Sequence, residues 1–253
     1  MGKVKLYSIY TEENSILKDI FLESIKDDWE IDISYCGKAG DGGGSGFTSG
    51  WHEIIRKKIK FLVDKIKENW GSIIIWADID IQFFGKCSAL INKSIIDKDI
   101  VFISEQWPKK EVNTGFFVMR CNPKTLSLLE LVSQANMDNL PYADQSAANN
   151  ILKDNTIGIT WDILPRQFWA MSHGWPPPIN IVLHHANCTR PKIINGRIIG
   201  SLEQKIQQLE KVRKYVTSRK EWKWLFYIHD QILLILRYFK NILRLLTTKN
   251  YKQ

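Results

Sequence analysis

Two carboxylates one residue apart, Asp78 and Asp80, directly follow the apolar run Ile73-Ile74-Ile75-Trp76-Ala77. Carboxylates at the end of a buried strand are costly unless a cation or hydrogen-bond donors neutralise them, so their placement points to a divalent-metal site. The spacing alone carries less, because a second Asp-x-Asp, Asp97 and Asp99, precedes another apolar run, and a turn with an Asx cap uses the same residues. A second group is His184-His185-Ala186-Asn187, at the end of an apolar run that starts at Ile179. Such a His pair is either structural or metal-binding. If the two chain segments converge, the hard Asp oxygens and one imidazole suit Mn²⁺ better than Mg²⁺, which prefers an all-oxygen octahedron. Alternation along a strand turns His184 and His185 to opposite faces, so only one of them serves as the ligand.

What must position these residues is an α/β sheet. Val4–Tyr10 and Ile31–Cys36 read as strands, with a helix stripe of Ile16, Ile20, Phe21 and Ile25 between them. Thr48 or Ser49 caps a helix that runs to about Asn69, with Trp51, Ile55, Ile59, Leu62 and Ile66 on one face and Lys58 inside that apolar sector. Lys58 either snorkels from that face or, one helix before the Asp pair, contacts a phosphate or a base. Ser72–Ala77 fits a central parallel strand buried on both faces, and ligand sites of open α/β sheets lie at the carboxyl ends of such strands. Further strands are expected at Asp99–Ser104, Thr114–Met119, Ile157–Ile163 and Ile179–His184, and helices at about Lys124–Gln134, Asp144–Leu152 and Leu202–Val216. The strand-helix alternation loosens after residue 110, where an antiparallel or mixed half is expected. The glycine-rich segment 40–46 lacks the Gly-Lys-Ser/Thr ending of a phosphate cradle and reads as a flexible lid or turn. Trp107, Trp161, Trp169 and Trp175 are core aromatics or platforms for a sugar ring.

The order of the motifs carries a resemblance. Ala77-Asp78-Ile79-Asp80, then Asn113-Thr114-Gly115-Phe116-Phe117-Val118-Met119-Arg120, then Asp144-Gln145, then Leu164-Pro165 with Phe168-Trp169, then His185-Ala186-Asn187, resembles the nucleotide-diphospho-sugar transferase family of GT-A fold glycosyltransferases over roughly residues 3–200. The resemblance implies a GT-A type, Rossmann-like mixed sheet flanked by helices. It implies metal-dependent transfer of a sugar from a nucleotide-diphosphate sugar (NDP-sugar) donor to a glycan or glycolipid acceptor. It makes Asp80 a direct ligand of Mn²⁺ or Mg²⁺, Asp78 a ligand or a ribose and water contact, and His185, rather than His184, the distal ligand. Tyr10 and Thr11 stand where the nucleotide base lies and Lys192 where a basic residue steadies the diphosphate. Asn113, Thr114 and Gly115 line the donor-sugar pocket, and Asp144 and Gln145 contact the transferred sugar or the acceptor. A cation is needed because charge develops on the leaving nucleoside diphosphate. Asp144 takes the acceptor proton if the enzyme inverts, and orients or stabilises the oxocarbenium-like centre if it retains. Two rivals remain at this level. One is a non-catalytic sugar- or nucleotide-binding module. The other is a sugar nucleotidyltransferase, which usually carries a glycine-rich basic loop after its first strand, where this chain has acidic Thr11-Glu12-Glu13-Asn14.

With 253 residues, 44% hydrophobic and 25% charged, the chain is neither disordered nor polytopic. The net charge of +8 comes from its last fifth, since 1–202 holds 23 basic and 23 acidic residues and 203–253 holds 12 and 4. A nucleic-acid reader would spread its basic residues over the folded face, so no nucleic-acid partner is expected. Four scattered cysteines without a Cys-x-x-Cys pair argue against structural zinc and a disulfide framework. The start, Met1-Gly2-Lys3-Val4-Lys5, shows no signal-peptide core, and the expected location is cytoplasmic. In residues 221–253 a helix would gather Lys223, Asp230, Arg237, Lys240, Asn241, Arg244 and Thr248 on one stripe, with apolar groups elsewhere. That pattern suits peripheral attachment to an anionic membrane surface, or packing on the domain or a partner. The expected division is a GT-A domain at 1–202 and a basic amphipathic helical tail at 203–253.

Overall fold

The computed structural model describes residues 3–40, 48–135, 139–140, 143–174, 176–190, 192–194 and 197–218, the last two stretches before 200 as backbone only, and in the tail residues 228, 231–232, 235–236 and 238–239. Most of the glycine-rich segment, Trp175 and the charged stripe of the tail lie outside the described residues.

The first half alternates as its periodicity demands. Strand β1 (Lys5–Tyr10) is followed by α1 (Ser15–Ser24), β2 (Glu30–Tyr35), α2 (Ser49–Glu68) and β3 (Ile73–Ala77). The Thr48 side chain accepts from the Trp51 amide and so starts α2, as a β-region N-cap should. Then come β4 (Ile81–Phe83), α3 (Ser88–Ile95), β5 (Ile100–Ser104) and β6 (Val112–Arg120). Asn122 caps α4 (Pro123–Gln134) in a capping box closed by Thr125, with Pro at its start. The remainder is α5 (Ala143–Asp154), β7 (Trp161–Ile163), β8 (Phe168–Ala170), β9 (Leu183–His185), the hairpin β10 (Lys192–Ile194) and β11 (Arg197–Ile199), and α6 (Ser201–Ser218).

Six strands form one mixed sheet in the order β2-β1-β3-β6-β5-β7. β3 is central, but parallel only to β1, because its other neighbour β6 runs antiparallel to it. Ile55, Ile59, Leu62 and Ile66 of α2, with Leu128, Leu129, Ala147 and Leu152 of α4 and α5, pack on one face against Tyr7, Trp76 and Phe117. On the other face Leu17, Phe21, Ile91, Ile95 and Leu209, from α1, α3 and α6, pack with Phe83 and Leu183. Helices thus cover both faces of a sheet whose central strands β1, β3, β6 and β5 are buried on both sides, which is the arrangement that buries most apolar surface for this pattern.

A second sheet, β4-β9-β8, decides where the site lies. β4 pairs antiparallel with β9 so that Ile81 faces His185, and the Ala186 amide donates to the Asp80 carbonyl at 3.1 Å. The two motifs that had to converge are therefore adjacent. The expected strands 157–163 and 179–184 shrink to three residues each at their carboxyl ends, because only those residues find a pairing partner. The division expected between 202 and 203 cuts α6. Leu209 and Val212 are buried in core clusters of the main body, so residues 203–218 fold with it. No helix among the described residues is long and apolar enough to cross a membrane.

Candidate active site

At the carboxyl end of β3 the Asp78 amide donates to the Gly115 carbonyl at 2.7 Å, tying the acidic pair to β6. Asp78 Oδ1 accepts from Trp76 Nε1 at 2.8 Å and lies 3.1 Å from Lys58 Nζ. Lys58 also sits 3.1 Å from Asp144 Oδ2 and donates to the Thr114 carbonyl at 2.9 Å. It does not snorkel: its side chain is 3% exposed, with the ammonium held between two carboxylates. Burial alone would discharge it, but Asp144 and then Asp78 outweigh burial and hold the ammonium above its ordinary range.

Asp80 is nearly buried, with Oδ1 3.3 Å from His185 Nε2 and Oδ2 2.7 Å from Lys205 Nζ. Burial pushes its carboxyl up, yet Lys205 and His185 together hold it well below the ordinary carboxylate range. His185 is buried too, and Asp80 outweighs that burial and raises its imidazole. Ligand atoms of Asp78, Asp80 and His185 all lie within 4.8 Å of one another. Asp80 Oδ1 and His185 Nδ1 are buried with no hydrogen-bond partner among the described residues. These orphaned atoms, two hard carboxylates and an imidazole, fit a divalent ion. Gly115 makes room for the ring, since a Cβ there would fall 2.2 Å from His185 Cε1. His184 turns the other way, fully buried with its ring centroid 4.9 Å from that of Trp169, and burial pushes it down to about 3, so it is a neutral core histidine.

These groups border one cavity of about 400 Å³, together with Asn113, Thr114, Gln145, Trp51, Glu105, Asn187, Arg190 and Ser201. Asn113 is fixed on both sides, its Nδ2 donating to Glu105 Oε2 at 2.6 Å and its Oδ1 accepting from the Gly115 amide at 2.9 Å. Burial pushes the Glu105 carboxyl up while Asn113 pulls it down less strongly. Tyr10 and Thr11, expected at the base, do not border this cavity. Tyr10 packs on Tyr35, with ring centroids 5.3 Å apart, and Thr11 Oγ1 accepts from Asn14 Nδ2 at 3.2 Å. Lys192 is placed by its backbone in β10, and its side chain lies outside what is described. Trp107, Trp161 and Trp169 stay away from the cavity, and an aromatic that does border it is Trp51, one turn before Ile55 in α2.

Glu105 and Lys205 also border the cavity, although neither is among the residues expected from the sequence. For Lys205 the signal was present: Leu202, Ile206, Leu209 and Val212 form the buried stripe of α6, and Lys205 falls inside it, as Lys58 does in α2. A lysine in an apolar sector marked a counter-charge to a site carboxylate in both helices.

A family model described as nucleotide-diphospho-sugar transferase matches residues 37–209, which include every residue named around the cavity. No curated protein matches the chain. Among solved structures, a glycosyltransferase involved in the glycosylation of the major capsid of PBCV-1 is similar, with 11% identity and a TM-score of 0.53, covering 83% of this chain and 100% of that one. The glycosyltransferase GlyE of Streptococcus pneumoniae TIGR4 is similar at 14% identity and a TM-score of 0.53, over 85% of this chain and 64% of its own. At such identities the likeness is one of fold.

Proposed function

The chain belongs to the nucleotide-diphospho-sugar transferase family, and from that premise we propose that it is a divalent-metal-dependent glycosyltransferase moving a sugar from an NDP-sugar donor to a glycan or glycolipid acceptor. The observation that carries the metal is the convergence of Asp78, Asp80 and His185, with orphaned ligand atoms, on one cavity with Asp144. A cavity of about 400 Å³ is within the range that takes a small-molecule ligand.

Asp80 and His185, with Asp78, would hold Mn²⁺ or Mg²⁺, and the donor set favours Mn²⁺. When bound, that ion supplies positive charge to the leaving diphosphate. Lys58 works at one remove, its ammonium fixing the Asp78 and Asp144 carboxyl groups in place. Asn113, Thr114, Gly115 and Gln145 border the sugar side, and Lys192 is assigned to the diphosphate. Asp144 is the carboxylate that takes the acceptor proton or stabilises the developing positive charge of the sugar. The exposed Ile228, Ile232, Ile235, Leu236, Tyr238 and Phe239 support a peripheral role for residues 221–253 on an anionic membrane surface.

Calorimetry with a panel of nucleoside diphosphates, with and without Mn²⁺, tests the reading. One diphosphate should bind in a metal-dependent way, and Asp80→Asn should abolish that dependence while leaving the fold; unchanged affinity would remove the metal assignment. Asp144→Asn should leave donor affinity near wild type and cut transfer by more than about tenfold, or roughly 1.4 kcal/mol of barrier.

A further inference from the structure

The cavity contains a cation that this reading of the site does not use. Lys205 comes from α6, a helix outside the sheet's strand-helix alternation, and reaches the acidic pair because it shares the buried stripe of Leu202, Ile206 and Leu209. Its side chain is 24% exposed and its Nζ stands 2.7 Å from Asp80 Oδ2, while the other Asp80 oxygen faces His185 Nε2 at 3.3 Å. One oxygen of the central candidate ligand is thus held by a protein cation, and the other lies beside an imidazole without accepting a hydrogen bond. An ammonium and a divalent ion compete for the same carboxylate, and in a poorly solvated cavity they repel strongly. A lysine differs from a fixed cation in that its compact charge rides on a flexible four-carbon stem. Displaced from Asp80, it stays on the wall of the cavity, where phosphate oxygens are the ligands best suited to receive it.

We propose that Lys205 is an exchangeable counter-cation, which neutralises Asp80 before ligands enter and moves onto the diphosphate oxygens when metal and nucleotide occupy the site. The proposal rests on the metal reading of Asp78, Asp80 and His185. It makes α6 part of the binding machinery and couples the two ligands. Lys205 opposes the metal alone and favours the diphosphate once the metal is in place. One substitution must therefore shift the two affinities in opposite directions, whereas a lysine that only holds α6 in place would weaken both.

The test uses the full chain, Mn²⁺ alone, and inorganic pyrophosphate at saturating Mn²⁺, with free Mn²⁺ followed by electron paramagnetic resonance. Lys205→Met should bind Mn²⁺ about fivefold or more tighter than wild type and pyrophosphate about fivefold or more weakly, a coupling of ordinary size. Lys205→Arg, which keeps the charge and guards against misfolding of the first variant, should hold pyrophosphate within about threefold of wild type. Unchanged or weaker Mn²⁺ binding by Lys205→Met, alongside a wild type that does bind Mn²⁺, would overturn the role of the lysine alone. A wild type that binds Mn²⁺ no better than Asp80→Asn would overturn the metal reading itself and this proposal with it.

Discussion

Gly115 shows how tightly single residues are constrained here. The family resemblance places it in the sugar pocket, and in the structure its missing side chain is what admits the His185 ring. Gly115→Ala should displace the imidazole and lower Mn²⁺ affinity more than about tenfold, with a stability loss of roughly 1–3 kcal/mol from overpacking. His184→Ala should do the reverse, costing about 2–4 kcal/mol through the cavity left beside Trp169 and leaving the metal affinity unchanged. Calorimetric titration with Mn²⁺ and urea denaturation of both variants check the pair, and equal metal affinities would mean that His185 is not a ligand. The acidic and imidazole groups were legible in the sequence because few residue types stand at strand ends without a reason. Which histidine faces the Asp pair followed from the resemblance, and the structure turns His185 to that side. Lys205 stands in an apolar stripe that the sequence displays, but the basic charge of residues 203–253 masks that stripe as part of a tail.

At the scale of elements, the second Asp-x-Asp shows why the bare motif says little. Asp99 directly precedes β5, where its Oδ2 accepts from the Thr160 amide and hydroxyl, each at 2.8 Å, and its Oδ1 from Asn122 Nδ2 at 2.8 Å. It joins β5 to the segment before β7 and to the cap of α4. Burial opposes its ionisation, but the Thr160 and Asn122 donors outweigh it and lower the carboxyl below its ordinary value. A depressed carboxyl stabilises the fold in full above its unfolded value, near 3.8, and loses that contribution as pH falls through the folded one. Asp99→Ala should therefore cost about 1–2 kcal/mol near neutral pH, a cost that shrinks below about pH 4, with nucleotide binding retained. Urea denaturation across that pH range reads the effect, and a pH-independent difference would count against it. The long elements were visible through their 3.6- and two-residue periods. β4, β8 and the β10–β11 hairpin were not, since three residues carry no period and exist as strands only through their partners.

The whole molecule divides differently from its charge. The basic excess begins at 203, but the fold continues through α6 to Ser218. Deleting 221–253 should leave nucleotide binding intact and remove affinity for anionic liposomes, which salt weakens only in part because buried apolar contacts are not screened. Deleting from 203 removes Leu209, Val212 and Lys205, and should abolish folding and binding together. Sedimentation with liposomes at low and high salt, and thermal melting of both truncations, distinguish these outcomes. A shorter deletion that loses nucleotide binding would make the tail part of the catalytic body. The strand-and-helix plan was legible because it follows from local periodicity, whereas the burial of α6 depends on which helix face meets the core, and a charge count does not record that.

The proposed chemistry depends on the acidic pair and His185 forming a metal centre for a nucleotide-sugar donor. Anomalous scattering from crystals grown with Mn²⁺ and a nucleoside diphosphate tests it most directly. A manganese peak is expected within ligand distance of Asp80 and His185, with the diphosphate on its open side. A well-ordered nucleotide with no manganese peak at those residues, or with the peak elsewhere, would contradict it.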